Sequence, residues 1–155
     1  MKMKMKVLMG AIALALGAGG SLQASAQVKP ETLVKQRQAV MTLQGKYFGP
    51  IGAMVQGKIP YDAAIVTRNA GYLEALSKMP WDGFQAGTAE VKDTDAKPEI
   101  YKDADKFRSD AQKLETEAGK LAAAARSGDQ NAVKAAFGEV GKACKSCHDD
   151  FRVKR

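Results

Sequence analysis

Both cysteines and the single histidine of this 155-residue chain fall within five positions, Cys144-Lys145-Ser146-Cys147-His148. Two thiols in C-x-x-C spacing followed directly by an imidazole are the arrangement for covalent attachment of a c-type haem. The thiols add across the two vinyl groups at one edge of a porphyrin, and the neutral imidazole offers a nitrogen to the iron. On a helix, Cys144 and Cys147 stand three apart and Cys144 and His148 four apart, so all three project from one face. Other chemistries fit these residues less well. A dithiol redox pair normally opens a helix after a strand, and no strand-like run precedes Cys144. Two cysteines and one histidine are too few for a four-ligand zinc site. A structural disulfide across so short a loop adds little stability. A haem-free dithiol or structural module is the alternative that stays open.

The amino-terminal residues set the compartment. Met1 to Lys6 alternates Met and Lys, an apolar run from Val7 to Leu16 follows, and Ala24-Ser25-Ala26 has the small residues of a cleavage site. Residues 1–26 are therefore expected to be a cleaved secretory signal, with residues 27–155 forming one domain in the periplasm, where this cofactor is attached. The apolar run is too short for an anchor and no later stretch is long and uncharged enough, so no membrane anchor is expected. Removing the leader takes away Lys2, Lys4 and Lys6 and no acid, so the formal charge falls from +7 to +4. That spread-out excess suits a solvated surface and acidic redox partners better than nucleic acid, which is not expected as a partner.

Four segments have helical periodicity. The first starts near Pro30 and runs to Gly57, with Leu33, Val40, Tyr47 and Met54 on its apolar side; Pro50, between Gly49 and Ile51, is expected to kink it or end it early. The second follows Pro60-Tyr61-Asp62 and is expected to reach Met79, before Pro80. Residues 80–98 lack sustained periodicity and read as a long connection with the task of covering the open edge of a flat cofactor. Its Trp81 and Phe84 fit either a small aromatic core or a porphyrin contact. In the third segment Ile100, Ala104, Phe107, Ala111, Leu114, Ala118, Leu121 and Ala125 step by four and three, with Gly128 as its stop and Asp129 as the cap of the fourth. Val133, Phe137, Val140, Cys144, Cys147 and Phe151 continue that rhythm, which puts the cysteines on the seam. With no competing β pattern, the expected fold is all-α: an antiparallel four-helix bundle with a long loop between helices 2 and 3.

An exported four-helix chain with C-x-x-C-H in its last helix resembles cytochrome c′, a class II c-type cytochrome. The resemblance spans the chain after the leader. It is carried by Arg37-Gln38-Ala39-Val40-Met41-Thr42, Pro60-Tyr61-Asp62-Ala63-Ala64, Pro80-Trp81, Asp95-Ala96-Lys97-Pro98-Glu99-Ile100 and Ala135-Ala136-Phe137-Gly138 together with the cysteine motif. It implies one haem c per chain, bound through Cys144 and Cys147, with His148 as the only strong protein ligand of a high-spin iron. It implies a homodimer formed through helices 1 and 2. It places Arg37, Gln38 and Asp95 near the propionates or rim, Met41 on the distal side, and Arg152 beside the proximal histidine; by its position Arg152 is equally a solvated cation at a helix C-terminus.

The sole histidine excludes bis-histidine ligation within one chain, so a sixth ligand would come from Met41, Met54, Met79, a lysine or the amino terminus. A coordinating Met41 would give a low-spin electron carrier closed to gases. A packed Met41 would leave an apolar distal pocket, without a donor for dioxygen, open to nitric oxide and carbon monoxide. Methionines on an apolar helical stripe are usually core, and Arg37-Gln38 matches the high-spin members, which favours packing. The expected function is thus a periplasmic haem protein with five-coordinate iron that binds these gases and takes part in one-electron transfer. No nucleophile beside a base and no polar distal pair of the peroxidase kind is evident, so no enzymatic turnover is expected.

Overall fold

The computed structural model describes residues 28–154; the expected leader, residues 1–26, lies outside them. Five helices follow in order: α1 (Pro30–Val55), α2 (Ala63–Leu76), α3 (Glu99–Lys102), α4 (Ala104–Ser127) and α5 (Gln130–Phe151). The four long ones form the antiparallel bundle, and α3 is a single turn. The core comes from the apolar seams: Val34 and Ile51 on α1, Val66 and Leu73 on α2, Leu121 on α4, and Val133 and Val140 on α5 are almost wholly buried. Helix α4 packs along α5 and α2, and α2 along α1, whereas α1 and α5 meet over a much shorter stretch. The space left between those two helices is the cavity described below.

Local chemistry explains most of the boundaries. Asp62 caps α2 by accepting from Ile65 N at 3.0 Å, and Asp129 caps α5 by accepting from Asn131 N and Ala132 N. Gly128, at φ 76°, ends α4 as expected. Gly57, at φ 71°, ends α1: Lys58 N donates to Ala53 O and Gly57 N to Met54 O, a Schellman pair that needs the left-handed conformation glycine adopts without penalty.

Three boundaries differ from those expected. Helix α1 runs through Pro50 to Val55. Proline leaves the Lys46 carbonyl without its helical donor, but Lys46 and Gly49 are exposed to water there, and Ile51 and Met54 beyond the proline are buried. Tertiary burial outweighs the local break. Helix α2 stops at Leu76 rather than Met79, because Met79 precedes Pro80, whose ring disfavours helical backbone at that residue. The third expected helix is broken at Asp103. Ile100 belongs to α3, and Asp103 turns out of the helix and caps α4 by accepting from Lys106 N. A short acceptor side chain gains more at a cap than inside a helix. Ala104 is consequently exposed, and the buried seam starts beyond it.

The connection between α2 and α3 holds two short 3-10 turns, Trp81–Gly83 and Ala86–Thr88. It is tied down at both ends. Arg37 on α1 holds the first part, and the second is stitched to the end of α5 by Lys97 N→Phe151 O at 2.9 Å and Val153 N→Asp95 O at 2.8 Å.

Candidate functional site

Helix α5 fixes the reactive groups. Its start is capped by Asp129, and the Lys97 ammonium donates to the carbonyls of Asp149 and Asp150 at 3.1 and 3.0 Å near its end. Cys144, Cys147 and His148 therefore sit on a helix held at both termini. All three line one cavity of about 700 Å³, within the range of roughly 300–1,000 Å³ usual for small-molecule and cofactor sites. The single face expected from their spacing is thus turned into a pocket. Both thiols are free and half-buried, and Cys144 packs against the main core.

The electrostatics suit neutral groups. Burial, reinforced by the carboxylate of Asp110, pushes the Cys147 thiol up to about 11, and burial raises Cys144 as well. His148 is lowered by partial loss of water and then by the Arg152 cation. Near neutral pH the chain thus presents two protonated thiols and an uncharged imidazole, the form that ligates iron.

The rest of the cavity wall is largely apolar. Trp81, Phe84, Phe107 and Phe151 line it and also stack on one another, with centroids 4.8 Å apart for Phe84 and Phe107 and 5.3 Å for the edge-on pair Phe107 and Phe151. The loop aromatics are therefore both a small core and a wall of the cavity. Trp81 Nε1 is buried with no hydrogen-bond partner among the described residues.

The five remaining expected residues also line this cavity: Arg37, Gln38, Met41, Asp95 and Arg152. What they hold differs. Arg37 is 3% exposed. It donates to Gly83 O at 2.7 Å, Thr88 Oγ1 at 3.1 Å and Thr94 Oγ1 at 3.1 Å, and its guanidinium lies 4.2 Å from the centroid of Phe84. It clamps the long connection to α1. Even a methyl at Gly83 would stand 2.8 Å from Arg37 Cβ, so the close approach needs glycine there. Gln38 is exposed and donates to Asp93 O at 2.9 Å. Arg152 lies just past α5 in extended backbone, bridges to Ala96 and pairs with Asp95 at 3.6 Å. Of the methionines considered as ligands, Met41 lines the cavity, Met54 is buried in the main core, and Met79 is 54% exposed.

Gln44 was not legible as a site residue. It is 7% exposed, lines the cavity and donates from Nε2 to Leu76 O at 2.9 Å. The signal that finds it is its place on the stripe Arg37, Met41, Gln44, Phe48, Ile51, where steps of four and three put a polar amide on a buried face.

A helical bundle with two thiols and an imidazole on one wall of a mostly apolar pocket defines a c-type haem protein. The donor set fits that group: two thiols at one edge, one neutral nitrogen beside them, and aromatic surface for a flat ring. Comparison with known proteins narrows the class. The family profile described as cytochrome C′ matches residues 32–152. The cytochrome c′ of Alcaligenes xylosoxydans xylosoxydans is 44% identical over 127 residues, 82% of this chain and 98% of that protein. The structure of cytochrome c′ from Rubrivivax gelatinosus superposes with a TM-score of 0.78 at 42% identity, covering 81% of this chain and 98% of that one. A nitric oxide complex of a cytochrome c prime variant from Alcaligenes xylosoxidans gives 0.77 at 43%, covering 83% and 99%. The chain belongs to the cytochrome c′ family, whose members carry covalently bound haem c.

Proposed function

We propose that this protein is a carrier of one haem c per chain, which Cys144 and Cys147 would hold through thioether bonds and His148 through a nitrogen ligand to the iron, and that the iron would bind nitric oxide and carbon monoxide. Support comes above all from one observation: the two thiols, the imidazole and Met41 line the same cavity, the first three from α5 and the last from α1. The bound group would supply an iron capable of one-electron exchange and of taking a small ligand. The chain's part is to hold and enclose it. Partial loss of water and the Arg152 cation favour the uncharged form of His148, which a nitrogen ligand requires. Arg37 and Gln38 hold the connection of residues 80–98 against the pocket, and Arg37, Gln38 and Asp95 lie near the propionates or rim of the porphyrin. Arg152, paired with Asp95, keeps a cation near the histidine. Met41 packs without ligating. A nitric oxide complex of a variant of a relative at 43% identity supports binding of that gas here too.

The same reading covers location and assembly. The protein is exported to the periplasm, exchanges single electrons with acidic partner proteins and carries out no catalytic turnover. Among the described residues no helix is long and apolar enough to cross a membrane. Exposed Leu43 and Tyr72, with the Tyr47–Tyr72 ring pair at 4.8 Å, give α1 and α2 an apolar outer surface suited to a homodimer.

One alternative has a specific observation behind it, since Met41 is the methionine that reaches the cavity wall and would be the sixth ligand of a low-spin carrier. The optical spectrum decides. A broad high-spin Soret band that shifts on adding nitric oxide is the expected result. A sharp low-spin spectrum with a methionine–iron charge-transfer band, indifferent to the gas, supports the carrier, and a colourless protein supports the haem-free module.

A further inference from the structure

Gln44 is a polar side chain on an apolar wall. It follows Met41 by three positions and precedes Phe48 by four, so the three share a face of α1, and all three line the cavity. Its amide is oriented by Leu76: with Nε2 donating to that carbonyl, the reversed amide would set oxygen against oxygen. A primary amide has two donor hydrogens and an acceptor oxygen, and the bond to Leu76 uses one hydrogen. The second hydrogen is left for an acceptor brought into the cavity.

We propose that Gln44 contacts the iron-bound ligand directly, its second amide hydrogen donating to the outer atom of a small diatomic molecule held in the part of the cavity walled by α1. The pocket then selects for ligands that build negative charge on that atom, because a donor interacts more strongly with a charged acceptor than with a neutral one. The distal side is in this respect unlike the wholly apolar pocket expected from the sequence. The proposal rests on the five-coordinate reading above.

The test uses the purified holoprotein and carbon monoxide. In the wild type, the stretching frequency of the bound gas is expected to differ between H₂O and D₂O, since the amide hydrogen exchanges. Gln44→Met keeps the side-chain length and removes the donor. It should raise that frequency, abolish the isotope sensitivity and speed dissociation about three- to tenfold, the loss of one ordinary hydrogen bond. The wild-type isotope measurement needs no variant, so a Gln44→Met chain that fails to fold does not rescue the idea. A wild-type frequency identical in the two solvents would overturn it, leaving Gln44 as a tie between α1 and α2. A wild-type protein whose unliganded spectrum is low-spin and that does not bind the gas would instead sink the five-coordinate reading, and this proposal with it.

Discussion

The two long walls of the cavity, α5 and α1, hold their polar groups in opposite ways. On α5 the reactive residues are flanked by exposed pairs such as Lys142 with Glu139 at 2.7 Å and Lys145 with Asp149. On α1 the polar groups, Arg37 and Gln44, are buried and bonded to residues at least 32 positions away. The difference separates chemistry from fit. Helix α5 carries dense local chemistry on a surface that tolerates change, because solvent-exposed ion pairs contribute little. Helix α1 carries the bonds that shape the pocket, where an orphaned partner has no water to turn to.

Changes on each wall should therefore fail differently. The largest effect belongs to α5: the double variant Cys144→Ala, Cys147→Ala should be exported but carry no covalently bound pigment, as read by haem staining after denaturing electrophoresis. A stained band would break the assignment. Next comes α1, where Arg37→Ala removes three charge-assisted hydrogen bonds and should lower the unfolding free energy by about 3–5 kcal/mol. A loss below about 1 kcal/mol in denaturant titration would show that the clamp is not structural. Arg37→Lys should recover little, because one ammonium cannot reproduce the fork.

Pro50→Ala runs the other way. The substitution restores an amide for the Lys46 carbonyl, worth about 3 kcal/mol against interior proline, and returns up to about 1 kcal/mol of unfolded-chain entropy, so a net gain of about 2 kcal/mol is expected. Unchanged stability would mean that the helix has already adapted fully to the proline.

A smaller, pH-dependent effect distinguishes the loaded from the unloaded α5 wall. In the cofactor-free chain with reduced thiols, Cys147 holds its proton to about 11 when folded, against 9.0 ordinarily. The folded state thus binds that proton more tightly. The resulting stabilisation is complete below pH 9 and fades as the pH rises to about 11. Thioethers do not titrate, so the holoprotein should lack this decline; thermal melts of both forms across that range check it. Least of all, Lys142→Ala should leave the melting temperature within error, since its pair with Glu139 is exposed.

The same contrast explains what could be read from sequence. The α5 chemistry and the buried part of the α4 seam were legible because their information is local: three- and four-residue spacings that helices turn into faces. The caps Gly128 and Asp129 were legible for the same reason. Asp103 breaks a repeat that hydrophobic spacing alone carries across it, since capping competes with periodicity and wins over one turn. At Pro50 the local rule loses to burial of Ile51 and Met54, a term set by α2, α4 and α5. Arg37 was recognised only through resemblance, and its partners Gly83, Thr88 and Thr94 become neighbours only once the chain folds. Gln44 was missed because a glutamine on a mixed stripe looks like surface until Leu76 is brought beside it.

Mass spectrometry of a digest cut at arginine alone, which leaves residues 127–152 of the mature protein in one piece, tests the covalent assignment most directly. The account predicts that the fragment spanning Cys144 to His148 carries the added mass of one intact haem, retained after extraction with acidified organic solvent. Unmodified thiols on that fragment, with any pigment lost to the solvent, would contradict it.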